Sequence, residues 1–403
     1  MPNLVRQHLI DPEICIRCET CAEMCQQDAI SYDGVNVVVD FSVCTYSMDC
    51  IAPCPTGAID NWIMVEKPHS IEDQFRWEEL PSGSGGEKGS NEIEEALEGE
   101  VSDMLKAAHA GAGGETRRPG TSSQPCVNLY SRSAPVVAQV QGNYRITDPN
   151  AESDVRHIIL DLGTNALPVL EGQSLGVVPP GKDDRGRKHH MRLYSLCSPR
   201  DGERPNHNNI AFTVKRVEEQ RNGAVFKGIA SNYMCDLGKG DQVELTGPYG
   251  STFLMPDNPE ANIIMVCTGT GSAPFRAMTE RRRRTMPLAP GKLLLFFGAR
   301  TPGELPYFGP LMKLPDRLIQ RELVFSREPG KPKEYVQDRI RACAHPVVTL
   351  LASDLTYVYV CGLKGMEQGV EQSLADVCSG NGLDWARLRD TMRGEGRLHI
   401  ETY

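Results

Sequence analysis

The chain has 403 residues, 43 of them Lys or Arg and 53 Asp or Glu, for a formal net charge of −10. That length accommodates two or three domains of ordinary size, and the acidic balance excludes a general nucleic-acid or anionic-membrane surface. No run of 18 apolar residues occurs and the first 30 residues lack an apolar signal-peptide core, so a soluble, cytoplasmic protein is expected.

Residues 1–62 carry nine acidic and two basic side chains and half of the 14 cysteines. Such a compact acidic unit suits docking on basic partners. Crowded cysteines at ligand-like spacing point to metal ligation in a reducing compartment rather than to disulfides. Cys15, Cys18, Cys21 and Cys25 follow an x2, x2, x3 rhythm. That rhythm sets three thiolates around one iron–sulfur cubane and exports the fourth, whereas zinc usually takes two separated pairs.

A second run, Cys44, Ser47, Cys50 and Cys54, keeps the register but replaces one ligand by serine. The crossing rule assigns Cys15, Cys18, Cys21 and Cys54 to one [4Fe–4S] cluster, and Cys44, Cys50 and Cys25 to another. Three outcomes stay open at the incomplete site. Ser47 or solvent ligates the fourth iron, that iron is lost to leave [3Fe–4S], or a cysteine from elsewhere completes it. The unit resembles two-cluster bacterial ferredoxins, with a small α+β fold; Gln26 stands where such proteins usually have proline, which implies altered hydrogen bonding near a cluster.

Residues 63–128 read as a linker, with Gly/Ser-rich stretches at 81–91 and 111–125. Between those stretches Ile93, Leu97, Val101, Met104, Leu105 and Ala108 recur at helical spacing. An amphipathic helix over 92–110 is predicted, and one so short needs a domain or a second copy in a homodimer to dock on.

Over 129–257, short β-branched runs such as PVVAQVQGNYRI and NIAFTVKRV alternate with turn residues and predict an antiparallel β-barrel. From 258 to 403, NIIMVCTGTG, LLLFFGA, LVFSRE and YVYVCG alternate with helical stretches and predict an α/β doubly wound parallel sheet. RRRR at 281–284 reads as a solvated helix face, and Tyr307, Phe308 and the scattered cysteines as core. Thr268, Gly269, Thr270 and Gly271 lie between a strand and a helix, where glycines let backbone amides approach a pyrophosphate.

Seven blocks stand in order over 134–403: RLYS (192–195), GIASNYMCDLGKGDQVELTGPYG (228–250), CTGTGSAPFRA (267–277), FFGART (296–301), FSRE (325–328), YVYVCGLKGME (357–367) and the closing ETY. Together they resemble the plant-type ferredoxin–NADP reductase family. The resemblance implies FAD and NADPH as cofactors. Arg192 offers a guanidinium to the flavin pyrophosphate and Tyr194 a flat ring to the flavin. Ser195 would hydrogen-bond near flavin N5, Gly228 and Ser231 would complete the pyrophosphate site, and Lys215 would stand near the adenine. Glu219 replaces the tyrosine that stacks on adenine in plant enzymes.

For the coenzyme, the resemblance assigns the 2′-phosphate to Ser326, Arg327, Lys333 and Tyr335, a donor set a dianion wants. Cys361, with Gly362 after it, would lie beside the nicotinamide, with Glu401, while Tyr403 would cover the flavin face that nicotinamide must reach. The order of parts implies NADPH to FAD to clusters to an external acceptor. A ferredoxin placed ahead of such a reductase resembles reductase components of multicomponent monooxygenases, that of benzoyl-CoA 2,3-epoxidase in aerobic benzoate degradation above all; this implies a di-iron oxygenase as partner. The alternatives are a ferredoxin or flavodoxin reductase with a built-in ferredoxin, the reductase of another oxygenase, and a non-catalytic redox sensor.

Overall fold

The structure is a computed structural model that describes residues 5–12, 15–45, 50, 54, 58–59, 61–65, 67–78, 101, 103–109, 116–182, 186, 188–221 and 224–403. Ser47 and the start of the predicted helix, 92–100, lie outside the described residues. The chain forms two compact units, Met1–Gly99 with Thr164–Leu167, and Glu100–Gly163 with Pro168–Tyr403.

In the first unit, β1 (Val5–Leu9) pairs antiparallel with β4 (Asn61–Val65), and β2 (Ile30–Tyr32) with β3 (Val37–Val39); α1 (Thr20–Met24) lies between the first two strands in sequence. Ile10, Val37, Val39, Ala58 and Ile59 pack with Cys21 and Cys50 in a small apolar core. His8 is fully buried against the Ile59 carbonyl, and burial pushes its pKa down to about 4, so it serves as a neutral core group. The unit continues past residue 62. A short helix, α2 (Ile71–Gln74), is capped by Ser70, and the Gln74 amide bonds both the carbonyl and the amide of Val39, at 2.9 and 3.2 Å. Gln7 and His69 bond reciprocally as well, so residues 67–78 belong to this fold rather than to the linker.

The second unit opens with a helix, α3, over 103–109. Its apolar face, Met104 and Leu105 with Val101, packs on Met191, Tyr249, Val178 and Leu193. The periodicity thus finds its partner inside the same unit. Residues 116–130 also lie on this unit: Tyr130 bridges Gly247, and Ser123 bonds Asp257.

The antiparallel sheet runs β8 (Arg192–Ser195), β7 (Ser174–Val177), β12 (Gln242–Tyr249), β5 (Val136–Arg145), β6 (Val155–Asp161), β9 (Asn209–Lys215). Its outer strands meet through one bridge, Leu196 to Phe212, rather than through a full ladder, so the predicted barrel is a curled sheet. Strands β10 (Glu218–Arg221) and β11 (Ala224–Lys227) form a separate hairpin that leads into α4 (Ile229–Asp236).

The parallel sheet has the order β15 (Ile319–Phe325), β14 (Leu293–Ala299), β13 (Asn262–Thr268), β16 (Thr356–Gly362), β17 (Leu398–Thr402). Chain order reverses between β13 and β16, and at such a switch point a crevice opens beyond the carboxyl ends of the strands. Helices α5 (Ser272–Thr285), α6 (Phe308–Met312), α7 (Val336–Ala342), α8 (Ala344–Leu351), α9 (Glu367–Ser379) and α10 (Trp385–Gly394) connect these strands. Burial of both sheet faces explains the unbroken apolar runs in β13, β14 and β16.

Two expectations fail here. The arginine run on α5 is not a solvated face, because Arg281 and Arg282 are buried and only Arg283 is open to solvent. Arg281 meets Glu171 at 2.9 Å and Asp257 at 2.5 Å, while Arg282 donates to the carbonyls of Pro259 and Ala261 at 2.8 and 2.9 Å. Nor are Tyr307, Phe308 and all the scattered cysteines plain core. Phe308 is exposed, Cys126 and Cys343 are half-buried, and the Tyr307 hydroxyl sits in a polar cluster with His157 at 2.9 Å, Thr213 at 2.6 Å and the Cys197 sulfur at 3.5 Å. Glu203 completes that cluster, reaching His157 at 3.2 Å and Arg276 at 2.7 Å.

Candidate active site

A cavity of about 1600 Å³ lies in the second unit. Ordinary small-molecule pockets are on the order of 300 to 1,000 Å³, so this one has room for more than one nucleotide. Its walls join residues far apart in sequence: Arg192, Tyr194 and Ser195 from β8, Lys215 at the end of β9, Gly228 and Ser231 at α4, Thr268 at the end of β13 with Gly269 and Thr270 after it, Cys361 from β16, Glu401 from β17 and Tyr403 just after it.

Each wall has a local cause. On β8 Arg192 is exposed, and Tyr194 is half-buried with its ring 6.1 Å from that of Phe212. The Ser195 hydroxyl lies 3.3 Å from that of Ser174 on the neighbouring strand. Ser231 in α4 accepts from the Val217 amide at 3.2 Å, which fixes the turn at Gly228. In the β10–β11 hairpin Glu219 is paired with Phe226, whose ring is exposed; a one-strand reading of position 219 misses this aromatic neighbour.

At the switch point the backbone itself is the wall. Residues Gly269–Gly271 form a tight turn before α5, and a Cβ at Gly271 would stand 2.2 Å from the Cys361 carbonyl oxygen. Gly362, at φ 148°, leaves no room either, with Thr268 Oγ1 2.7 Å from where its Cβ would be. Glycine is therefore required at both places for β13 and β16 to end this close together.

Cys361 is in register with Cys267 on one side and Glu401 on the other. Burial pushes its thiol well up, with Glu401 adding to the effect, so it is a neutral thiol. The Tyr403 hydroxyl bonds Thr270 Oγ1 at 2.7 Å, and its backbone amide donates to the Gly362 carbonyl at 2.9 Å. Glu401 Oε1 lies 3.0 Å from Nε2 of His109, a residue of α3 that sequence reading did not single out. No local signal could have found a pair 292 positions apart.

Of the predicted phosphate clamp, Ser326 and Tyr335 line the cavity. Arg327 and Lys333 are exposed, and the Lys333 ammonium lies 4.9 Å from the centre of the Tyr335 ring. Tyr335 itself caps α7 in a reciprocal arrangement with Asp338. Cations, hydroxyls and a glycine turn at a helix start are the donor set that phosphates of bound dinucleotides require, so the cavity fits FAD and NADP(H).

In the first unit, Cys15, Cys18, Cys21 and Cys54 line one small cavity together with Ile10, Val37 and Ile59. Cys54 thus joins the first three thiols, while Cys44 and Cys25, and beyond them Cys21, are neighbours of Cys50. Burial pushes Cys21 up to about 11 and Cys50 up to about 12, with the neighbouring thiols contributing. A thiol so placed loses its proton readily only to a metal, which suits ligands of a buried cluster. Among the described residues no group of His, Cys, Asp and Glu converges tightly enough for a single metal ion.

The comparisons with known proteins agree with this geometry. The model of the oxidoreductase NAD-binding domain matches residues 265–372, and that of the 4Fe-4S binding domain matches residues 8–31, which include Cys15 to Cys25 but not the second run. The ferredoxin–NADP reductase of the Cyanophora paradoxa cyanelle is 35% identical over 351 residues, 84% of this chain and 94% of the relative. The chain belongs to the ferredoxin–NADP reductase family. A second ferredoxin–NADP reductase, from Thermosynechococcus vestitus, is 38% identical over 290 residues, 69% of this chain and 75% of its own. The ferredoxin–NADP+ reductase of Plasmodium falciparum shares the fold, with a TM-score of 0.56 at 21% identity over 70% of this chain and all of that one. As a ferredoxin–NADP reductase family member this protein is an NADPH-dependent oxidoreductase, with an iron–sulfur motif ahead of the reductase. Among the described residues no helix is long and apolar enough to cross a membrane.

Proposed function

We propose that this family member takes a hydride from NADPH and passes the electrons singly through its own iron–sulfur unit to a ferredoxin- or flavodoxin-type acceptor. The observation that carries this reading is the joining of β8, the Gly269–Gly271 turn and the Cys361, Glu401 and Tyr403 set in one cavity. Bound FAD supplies the passage from a two-electron hydride to the single electrons that clusters accept.

In this reading Arg192, Gly228 and Ser231 hold the flavin pyrophosphate, Lys215 the adenosine half, and Tyr194 and Ser195 the ring. Thr268, Gly269, Thr270 and Gly271 receive the coenzyme pyrophosphate, and Ser326, Arg327, Lys333 and Tyr335 the 2′-phosphate. Tyr403 must release Thr270 before nicotinamide can enter, so its hydrogen bond sets part of the cost of coenzyme binding. Cys361, Gly362 and Glu401 form the nicotinamide side. In the first unit Cys15, Cys18, Cys21 and Cys54 take one [4Fe–4S] cluster, and Cys25, Cys44 and Cys50 a second.

Anaerobic rapid mixing of the loaded protein with NADPH or NADH tests the reading. Flavin bleaching, faster with NADPH, is expected; no bleaching with either coenzyme overturns it. Iron and sulfide counts with EPR of the oxidised protein distinguish a second [4Fe–4S] cluster from [3Fe–4S].

A second acceptor, the di-iron benzoyl-CoA epoxidase component, is favoured only by the order of the two units; the named relatives favour the ferredoxin reading. Coupled NADPH oxidation in a mixture with that epoxidase and benzoyl-CoA would reverse the preference.

A further inference from the structure

The segment ahead of the antiparallel sheet contributes to the wall of the active cavity. Met104, Leu105, Ala107 and Ala108 of α3 line it beside Leu193 and Tyr194, and the helix is held there by Val101, Met104 and Leu105 against Met191 and Tyr249. At the end of α3 His109 is 7% exposed, and it makes two contacts of different kinds. Its Nδ1 lies 2.8 Å from the Leu105 carbonyl, and its Nε2 lies 3.0 Å from Glu401 Oε1.

Carbonyl oxygen only accepts, so Nδ1 must carry a hydrogen. The contact between Nε2 and Oε1 then needs one more proton, residing on either atom. Imidazole and carboxyl thus hold a single shared proton at the cavity wall, and the orientation of the ring is fixed by its own helix. A second stitch joins the same two stretches of chain: Thr116 Oγ1 lies 3.1 Å from His399 Nδ1, one residue pair earlier on β17.

We propose that His109 is a positioning residue for the reductase reaction: it holds the Glu401 carboxyl toward the cavity and shares a proton with it. The inference rests on reading that cavity as the meeting place of nicotinamide and flavin. It makes α3 a working part of the site, rather than a stretch of tether.

The other titratable groups about this pair are Cys361 on β16, His399 on β17 and Tyr403 just after it, and the cavity wall also carries Lys188, His189, His190, Arg192 and Lys364. On α3 itself Asp103 and Lys106 pair with each other in solvent. Burial pushes the Cys361 thiol well up and His399 down to about 4, so both stay neutral across the neutral range. With His189 and His190 also on the wall, the signature of the shared proton is an inflection in the pH profile of flavin reduction that His109→Phe removes while those two histidines stay in place.

The test uses the full chain loaded with FAD and clusters, mixed anaerobically with NADPH. The variant His109→Phe keeps the volume and loses both ring nitrogens, and His109→Gln restores one donor. Glu401→Gln and the double variant His109→Phe, Glu401→Gln complete a cycle. The expected result is flavin reduction slowed about tenfold in His109→Phe with NADPH affinity within about twofold, partial recovery in His109→Gln, loss of the pH inflection, and a double variant no slower than Glu401→Gln alone.

Unchanged rate and pH profile in His109→Phe would overturn the proposal, as would losses that simply multiply in the double variant. Should His109→Phe not fold, His109→Gln carries the same comparison through its pH profile. Failure of NADPH to reduce the unaltered protein defeats the reading of the cavity as well; normal reduction with an indifferent His109 defeats the positioning role alone.

Discussion

Two sets of cations in the second unit invite comparison. On α5, Arg281, Arg282 and Arg284 are turned inward and their terminal guanidinium nitrogens meet protein acceptors: carboxylates of Glu171, Asp257 and Asp201, and carbonyls of Pro259, Ala261, Gly202 and Glu203, while Nε of Arg282 and of Arg284 stays without a hydrogen bond. Arg192 and Lys215 line the cavity, Arg327 and Lys333 are near in sequence to its lining residues Ser326 and Tyr335, and all four are exposed. The first set is conspicuous in sequence and structural in use; the second is scattered and is the one the proposed function gives to the ligands. A buried cation whose terminal nitrogens already meet protein acceptors has little to offer a phosphate, whereas an exposed one retains donors for a dianion. Clustering in sequence is thus a poor guide to anion binding here, and the fate of the donors a better one.

The comparison can be broken most forcefully at Glu171, which is wholly buried between Arg200 and Arg281. Glu171→Gln should destabilise the second unit by about 3 to 5 kcal/mol, because buried guanidinium groups lose their counter-charge. Thermal unfolding of the loaded protein would reveal it; a melting temperature close to that of the unaltered protein would contradict the structural role.

The same carboxyl gives a dependence on acid. Burial alone would raise its pKa, but Arg200 and Arg281 outweigh burial and hold it at about 2, against an ordinary value of 4.5. A depressed carboxyl pKa means stability that is full above pH 4.5 and is lost as pH falls toward 2. Glu171→Gln should flatten that part of the acid-unfolding curve, and an unaltered slope would assign the acid sensitivity to other carboxylates.

Among the exposed cations, Arg327→Ala and Lys333→Ala should each, on the proposed function, raise KM for NADPH about tenfold, leave KM for NADH nearly unchanged, and leave the melting temperature where it was. Equal losses with both coenzymes would mean that these side chains do not read the 2′-phosphate. The smallest effect belongs to Arg283, the solvated member of the run, which pairs with Glu280 at 2.7 Å. Arg283→Ala should stay within about 0.5 kcal/mol of the unaltered protein in chemical denaturation.

Much of the fold was legible because its signals are local. The β-branched runs and their turns mark the antiparallel sheet, the apolar runs mark β13, β14 and β16, and the x2, x2, x3 rhythm brings Cys54 to Cys15, Cys18 and Cys21 by the crossing rule. Even the arginine run carried a signal that its composition hid. Arg281 and Arg282 follow Ala277 and Met278 by four residues, so helical spacing continues the buried face of α5 straight through them. Other features leave no local trace. The pairing of His109 with Glu401, the cluster of His157, Cys197, Glu203 and Tyr307, and the inclusion of residues 67–78 in the first unit depend on contacts between distant parts of the chain. The outer strands of the antiparallel sheet likewise look alike in sequence whether or not they join in a ladder.

Gln74 has a further consequence for the first unit. Its side-chain amide meets both hydrogen-bonding groups of Val39, and so acts as a strand one residue long laid along β3. An open strand edge is a template for pairing with other chains, and a two-stranded hairpin has edges on both sides. Covering one of them with an amide from the same chain uses only protein atoms and needs no iron. This small plug can therefore guard the hairpin against intermolecular β-pairing whether or not the neighbouring cysteines have a metal to organise them.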